Sequence, residues 1–190
     1  MTDDKIIIDK ILAGDTRVFQ SLIESHQRLV SHIVVRMITN RADVEDVCQE
    51  IFMKVYQYLG NFNFESKLST WIAKIAYNTV INYLKKKKLP LYDDRVLDDK
   101  TLENYPSRNH TPEAHTTNRD MASRLQEEIA KLPAQFRAIL TFYHLNEMSY
   151  REIVEVMGLP EGTVKSYLFR ARKVLKENLI AKYQQEELWH

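Results

Sequence analysis

The 190-residue chain is 44% hydrophobic and 28% charged, enough apolar material for one or two packed domains. Its formal net charge of +1 does not announce a protein that holds nucleic acid tightly by itself. A single cysteine, Cys48, excludes an internal disulfide framework and suits a reducing cytosol, and the six His are too scattered for metal-ligand spacing. No apolar run approaches the roughly 18 residues of a membrane span, and Met1-Thr2-Asp3-Asp4-Lys5 shows no signal-peptide pattern.

With only 4 Gly and 5 Pro, and apolar residues recurring at three- and four-residue spacing, the chain reads as all-α. Ile6, Ile7, Ile11 and Leu12 predict a short first helix ending near Gly14. Asp15 or Thr16 caps a second, whose apolar positions run from Val18 and Phe19 through Leu22, Val30, Ile33 and Val34 to Met37. Asp43 caps a third, with Val44, Val47, Ile51, Phe52, Val55, Tyr56 and Leu59 on its apolar side. Gly60 to Phe64 is a turn, and a fourth helix from about Ser69 carries Trp71, Ile72, Ile75, Ala76, Val80, Ile81 and Leu84 before four successive lysines.

Charge marks the organisation. Residues 1–88 carry 13 Lys or Arg against 10 Asp or Glu, a net of +3. Residues 89–117 carry 3 against 6, contain Pro90, Pro106 and Pro112, and lack apolar periodicity, so they read as a flexible acidic linker. Residues 118–190 carry 11 against 10. Two small helical domains joined by a linker are therefore expected. In the second, Met121, Leu125, Ile129 and Leu132 mark one helix, and Pro133 starts another through Phe136, Ile139, Leu140, Phe142, Tyr143 and Leu145. The terminal Leu188-Trp189 reads as a packed helix end, with a docking handle as the alternative.

Between them and the C-terminus lies a helix, tight turn, helix pattern. Ser149 and Glu152 have capping-box spacing, Ile153, Val154 and Met157 form a buried stripe, and Gly158 supplies a left-handed stop. Pro160 opens a second helix with Val164, Leu168, Ala171 and Leu175 on one face and Lys165, Tyr167, Phe169, Arg170 and Lys173 elsewhere. Such a second helix fits a DNA major groove; an ordinary helical hairpin with a charged face is the plain alternative.

Three stretches carry a family resemblance. Asn40-Arg41-Ala42-Asp43-Val44-Glu45-Asp46-Val47-Cys48-Gln49-Glu50-Ile51-Phe52 resembles the A-[ED]-D-[LV]-x-Q-E-x-F stretch of bacterial sigma factors. Ser69-Thr70-Trp71-Ile72-Ala73-Lys74-Ile75-Ala76-Tyr77-Asn78 resembles their F-x-x-W-L-x-x-I-A-x-N stretch. Leu132-Pro133 with Phe136-Arg137, Met148 to Ile153, and Gly162 to Ser166 with Arg170-Ala171-Arg172 are similar to their C-terminal block. The matches fall in family order and cover nearly everything outside the linker. The chain thus resembles a sigma-70 factor of the small two-domain extracytoplasmic-function (ECF) class, with region 2 over 1–88 and region 4 over 118–190; its length leaves no room for the larger factors' extra domains.

That resemblance implies roles. Asp43, Asp46 and Glu50 share a helical side bordered by Gln49, by default a solvated face; in the family this helix docks on the clamp helices of the largest polymerase subunit. The loop of Phe62, Asn63 and Phe64, with Lys74, Tyr77 and Asn78 on the next helix, has the aromatic and polar chemistry to capture a base leaving the duplex stack. In the family this region takes a flipped base of the −10 element, and Phe62 and Asn78 match its pocket, whereas Trp71 reads as core. Lys85, Lys86, Lys87 and Lys88 complement a helix C-terminus, contact phosphate, or do both.

Lys165, Ser166, Phe169 and Arg170 match the family positions that face the −35 element; Thr163 at the helix N-terminus suits a phosphate, and Lys173 is either solvated or phosphate-facing. Tyr167 departs from a position often basic in the family, and Glu147, Glu155 and Glu161 surround the motif, so autonomous −35 affinity is expected to be modest. Implied partners are core RNA polymerase (largest-subunit clamp helices and the flap of the second-largest subunit), promoter DNA, and an anti-sigma factor or another recruiting protein. No cofactor is expected. An enzyme is disfavoured by the lack of a phosphate loop, a nucleophile elbow or a paired-carboxylate site. A stand-alone helix-turn-helix regulator stays open, although it gives the aromatic loop and the acidic helix no role.

Overall fold

The computed structural model describes the backbone over residues 3–87 and 118–187, with side chains over 3–87 and 124–182. The expected linker over 89–117, Lys88 and Leu188-Trp189 lie outside the described residues. Every regular element among the described residues is helical. The first four helices are α1 (Asp3–Leu12), α2 (Thr16–Met37), α3 (Ala42–Tyr58) and α4 (Leu68–Lys86). The second set is α5 (Asn118–Lys131), α6 (Ala134–Leu140), α7 (Tyr150–Met157) and α8 (Glu161–Glu187).

Local chemistry sets the boundaries. Asp15 caps α2 by accepting from the N–H groups of Arg17 and Val18 at 3.1 and 3.2 Å. At α3 the expected cap is corrected. Asn40, not Asp43, accepts the Ala42 N–H at 3.2 Å, because the Asp43 carboxylate is drawn to α4 instead. In α1 the buried residues are Ile8 and Ile11, whereas Ile6 and Leu12 are 40% and 56% exposed, since so short a helix buries only one narrow side. A 3-10 turn, Leu59–Asn61, leads from α3 to the α4 entry.

Helices α2, α3 and α4 pack mutually around Val30, Ile33, Val34, Met37, Val47, Ile51, Val55, Ile72, Ala76 and Val80. Each such side chain removed from water contributes about 1.5–3 kcal/mol when branched or long. The second core joins Leu132, Phe136, Ile139, Phe142, Ile153, Val156, Val164, Leu168 and Ala171.

The helix expected from Pro133 to Leu145 splits: α6 ends at Leu140 and Thr141–Leu145 widens into a π turn. The Thr141 hydroxyl donates to the Arg137 carbonyl at 2.8 Å, and the Asn146 N–H reaches back to Thr141 O at 3.0 Å. Side-chain competition of this type loosens a helical ladder, and the wide turn sets Phe142 fully inside the core.

The two helical sets are in contact. Helix α4 lies along α7, and α2 lies against α6 and the π turn. The Arg137 guanidinium sits in that seam, 8% exposed: Nη1 donates to Ala130 O and Leu132 O, both at 2.8 Å, and Nη2 donates to Met37 O at 2.7 Å.

Candidate functional site

Three surfaces gather the residues singled out in the sequence. The first is an open apolar groove of about 1210 Å³ between α2 and α3, lined by Phe19, Ile23, Cys48, Phe52, Met53 and Tyr56 among others. Met53 is 71% exposed, and the Tyr56 ring stands edge-on to Phe19 at 4.8 Å. Asp46 and Gln49 are exposed, with Gln49 lining the groove. Glu50 pairs with Lys54 at 2.6 Å. Asp43 stands apart from this rim, since it accepts from the Tyr83 hydroxyl and, at 2.6 Å, from the Asn40 amide, with Lys87 at 3.8 Å. The Tyr83 hydrogen bond, ahead of the Asn40 bond and the Lys87 charge, holds the Asp43 carboxyl below its ordinary pKa, and the same bond pushes Tyr83 up to about 12.

The sequence pattern placed Phe52 and Tyr56 on the apolar side of α3 and passed over Met53. Its available signal was the width of the apolar arc on α3, broader than one packed face needs.

The second surface surrounds the loop before α4. Phe62, expected at the −10 pocket, is buried in this structure: it is 5% exposed, tilted against Phe64 at 4.8 Å and Trp71 at 5.5 Å. The 3-10 turn closes with the Phe62 N–H on Leu59 O at 3.1 Å and carries the ring inward. Asn63 and Phe64 are exposed at the tip. Asn63 Oδ1 accepts the Glu65 N–H at 3.3 Å, and Phe64 has φ 61, a left-handed conformation that costs a side-chain-bearing residue about 1–2 kcal/mol.

On α4, Trp71, Lys74 and Asn78 share a face at three- and four-residue spacing. The Trp71–Phe62 contact therefore fastens the loop beside the exposed Lys74 and Asn78. Tyr77, expected with the −10 residues, faces the second set of helices. It is 7% exposed, with its ring edge-on to Phe142 at 5.9 Å, and burial pushes its hydroxyl up to about 12. Thr70 and Tyr77, two turns apart on α4, both face the second set of helices. Lys85, Lys86 and Lys87 are exposed around the α4 C-terminus, with the Lys87 ammonium 5.7 Å from the Tyr83 ring centre.

The third surface is the helix-turn-helix of α7 and α8. The Ser149–Glu152 capping box is complete, Gly158 is left-handed at φ 67, and Val164, Leu168 and Ala171 are buried. Lys165, Phe169 and Lys173 are exposed along one line of α8, Phe169 at 69%; Thr163, Ser166 and Arg170 are half-buried beside them. Lys165 pairs with Glu161 at 2.6 Å, which raises its pKa, and stands 5.6 Å from the Tyr150 ring centre. Tyr167 is corrected to a core residue: it is 6% exposed, edge-on to Phe136 at 5.6 Å, so its departure from a basic residue removes no outward-facing charge. Arg172 stacks over Tyr143 at 5.0 Å, with His144 Nε2 at 3.1 Å from its Nη2.

Residues 22–89 match the family model for Sigma-70 region 2, and residues 122–175 match that for Sigma-70, region 4. The chain is 32% identical over 182 residues to the ECF RNA polymerase sigma-E factor of Haemophilus influenzae, covering 93% of this chain and 95% of that one. It is 30% identical over 176 residues to the ECF RNA polymerase sigma factor SigW of Bacillus subtilis, covering 90% and 94%. Its fold is similar to that of CnrH in complex with the cytosolic domain of CnrY, with a TM-score of 0.65 at 22% identity over 94% of this chain and 97% of that one. Both regions present in order, with relatives aligned across nine-tenths of its length, the chain belongs to the sigma-70 family of RNA polymerase sigma factors, within the extracytoplasmic-function class.

Proposed function

We propose that this chain binds core RNA polymerase, directs it to specific promoters and assists their melting. One observation carries the reading: a single chain bears both an open apolar groove with a polar rim on α2–α3 and a helix-turn-helix whose second helix shows Lys165, Phe169 and Lys173 to solvent. A stand-alone DNA-binding regulator needs only the latter.

In this reading Met53, Tyr56 and Phe19 supply buried area for the clamp helices of the largest polymerase subunit, while Asp46, Gln49 and Glu50 set orientation and association rate. Asn63, Phe64, Lys74 and Asn78 handle the melted −10 strand: Phe64 offers a ring for a base to stack on, and Asn78 offers an amide for its edge. Phe62 and Trp71 hold that loop from beneath. Lys85, Lys86, Lys87 and Lys88 give sequence-independent phosphate attraction. Lys165, Ser166, Phe169 and Arg170 face the −35 element, with Thr163 and Lys173 on phosphate.

The second domain also meets the flap of the second-largest subunit. The chemistry of RNA synthesis belongs to the polymerase, and the factor works in the cytoplasm; no helix among the described residues is long and apolar enough to cross a membrane. An anti-sigma factor completes the partner set, as in the solved complex of RpoE with the anti-sigma factor NepR from Bartonella quintana.

Run-off transcription with core polymerase on promoters randomised at −10 and −35 tests the reading. Chain-dependent transcripts with a fixed start-site spacing are expected. No gain over core alone, with the chain itself shifting duplex DNA, would replace the reading with that of a stand-alone regulator.

A further inference from the structure

A strip of alternating rings and cations runs along the flank of the helix-turn-helix. The Lys165 ammonium stands 5.6 Å from the Tyr150 ring centre, Tyr150 lies 5.4 Å from Tyr143, and the Arg172 guanidinium lies over Tyr143 at 5.0 Å. An acceptor closes each end. The Glu161 carboxylate takes Lys165 at 2.6 Å, and His144 Nε2 takes Arg172 Nε at 3.3 Å and Nη2 at 3.1 Å. The His144 ring itself stands edge-on to Tyr143 at 5.0 Å. Three elements contribute: the π turn gives Tyr143 and His144, α7 gives Tyr150, and α8 gives the rest. The two tyrosines are half-buried and the two cations exposed, so the rings anchor side chains that would otherwise sample many rotamers in water.

The two ends differ in charge. Lys165 is matched by a carboxylate, whereas Arg172 faces an imidazole. Burial first, and then the Arg172 charge, hold His144 below its ordinary pKa, so at neutral pH the ring is uncharged and Nε2 accepts. Arg172 therefore keeps its full charge at a fixed place. Among the described residues, two of its five N–H donors find an acceptor, both at His144, and three are left.

Helix geometry gives the direction. At about 3.6 residues per turn, Arg172 falls roughly 20° from Lys165 around the α8 axis and about 10.5 Å further along it. It thus shares the side of α8 that the proposed function turns to the −35 element. A recognition helix puts its first turns on base edges, and its later residues meet the backbone. A planar fork with intact charge and fixed orientation suits a pair of phosphate oxygens.

We propose that Arg172 is a further −35 contact that takes a backbone phosphate, and that Tyr143 and His144 are the residues that position it. This role rests on the −35 reading of α8. Tyr143 holds the guanidinium plane, His144 sets its rotation within that plane, and Tyr150 ties the pair to Lys165 two turns nearer the helix start. The side chain is ordered before DNA arrives, which removes part of the cost of ordering it in the complex.

Fluorescence anisotropy of the promoter selected by run-off transcription, bound by core polymerase carrying the full chain between about 50 and 200 mM salt, tests this role. Arg172→Ala should lower the slope of log affinity against log salt by about one, and weaken native and −35-scrambled promoters alike. Tyr143→Leu should weaken binding about 2–10-fold, and Tyr143→Phe, which keeps the ring, should restore it. Tyr143→Leu combined with Arg172→Ala should lose no more than Arg172→Ala alone, because the tyrosine acts through the arginine. A residue that only supported the fold would give additive losses. Helical circular dichroism checks each variant. If Tyr143→Leu loses helicity, His144→Leu, at an exposed position, replaces it in the same cycle.

The role is overturned if Arg172→Ala keeps wild-type affinity and salt slope, if it shifts base preference at −35, if Tyr143→Phe binds as weakly as Tyr143→Leu, or if the losses add. Lys165→Ala separates it from the underlying reading. If neither Lys165→Ala nor Arg172→Ala alters promoter binding, α8 does not face the −35 element; if Lys165→Ala alone does, only the role of Arg172 falls.

Discussion

Arg137→Met is the most informative single change in the fold. The arginine is 8% exposed and gives hydrogen bonds to three backbone carbonyls: Ala130 and Leu132 in its own domain, and Met37 across the seam. Methionine fills a similar volume, so little cavity forms; what is lost is the donors. A charge-assisted hydrogen bond contributes about 1.5–3 kcal/mol, and a stranded acceptor costs about 1–3 kcal/mol. Relief of the guanidinium's desolvation acts in the opposite direction, because a buried charge is expensive to hold. About 1 kcal/mol net per carbonyl gives a loss of about 3 kcal/mol.

In a chain of this size that corresponds to a fall in Tm of about 6–12 °C. Urea unfolding followed by helical circular dichroism measures it. Arg137→Lys should fall between the two, because one ammonium cannot span carbonyls on both sides of a planar fork. A loss below about 0.5 kcal/mol for Arg137→Met, or a lysine variant as stable as wild type, would refute the claim that the fork geometry holds the seam.

Three further outcomes are expected. Asp46→Arg with Glu50→Arg reverses the rim of the α2–α3 groove and should abolish capture of core polymerase in a pull-down while leaving thermal stability within about 0.5 kcal/mol, since both side chains are exposed. Asn78→Ala should change −10 base preference in run-off transcription with polymerase binding intact; an unchanged preference would remove Asn78 from the base-reading set. Tyr77 and Tyr83, both raised from 10.0 to about 12 by burial and by the bond to Asp43 respectively, should lag the other tyrosines in a phenolate absorbance titration. Because the folded values are raised, the stability these groups supply is complete below pH 10 and disappears as the pH rises through about 12. Tyr83→Phe should abolish one lagging titration and let the Asp43 carboxyl return toward its ordinary range.

Features that depend on neighbours along the chain were legible in the residues alone. The Asp15 cap, the Ser149–Glu152 box, the left-handed Gly158 and the buried line of Val164, Leu168 and Ala171 were all legible, because each is a matter of residues within a turn or two of one another. Order and spacing of the motifs also sufficed for the family. Tertiary structure decided which side of an apolar helix is core and which is surface. Phe52, Tyr56 and Phe62 are all aromatic residues in helical or turn registers, yet Tyr56 is 48% exposed on a groove and Phe62 is 5% exposed beneath a loop.

Periodicity gives an angle around a helix axis but not what lies at that angle. For the same reason Asp43, which shares a helical side with Asp46 and Glu50, is diverted by a tyrosine forty residues away, and Tyr167 turns inward onto Phe136. The contact between the domains lay beyond sequence reasoning altogether. Arg137 and Met37 are a hundred residues apart, and Lys67 and Glu152 are ordinary surface charges until two separately folded faces bring them within hydrogen-bonding distance.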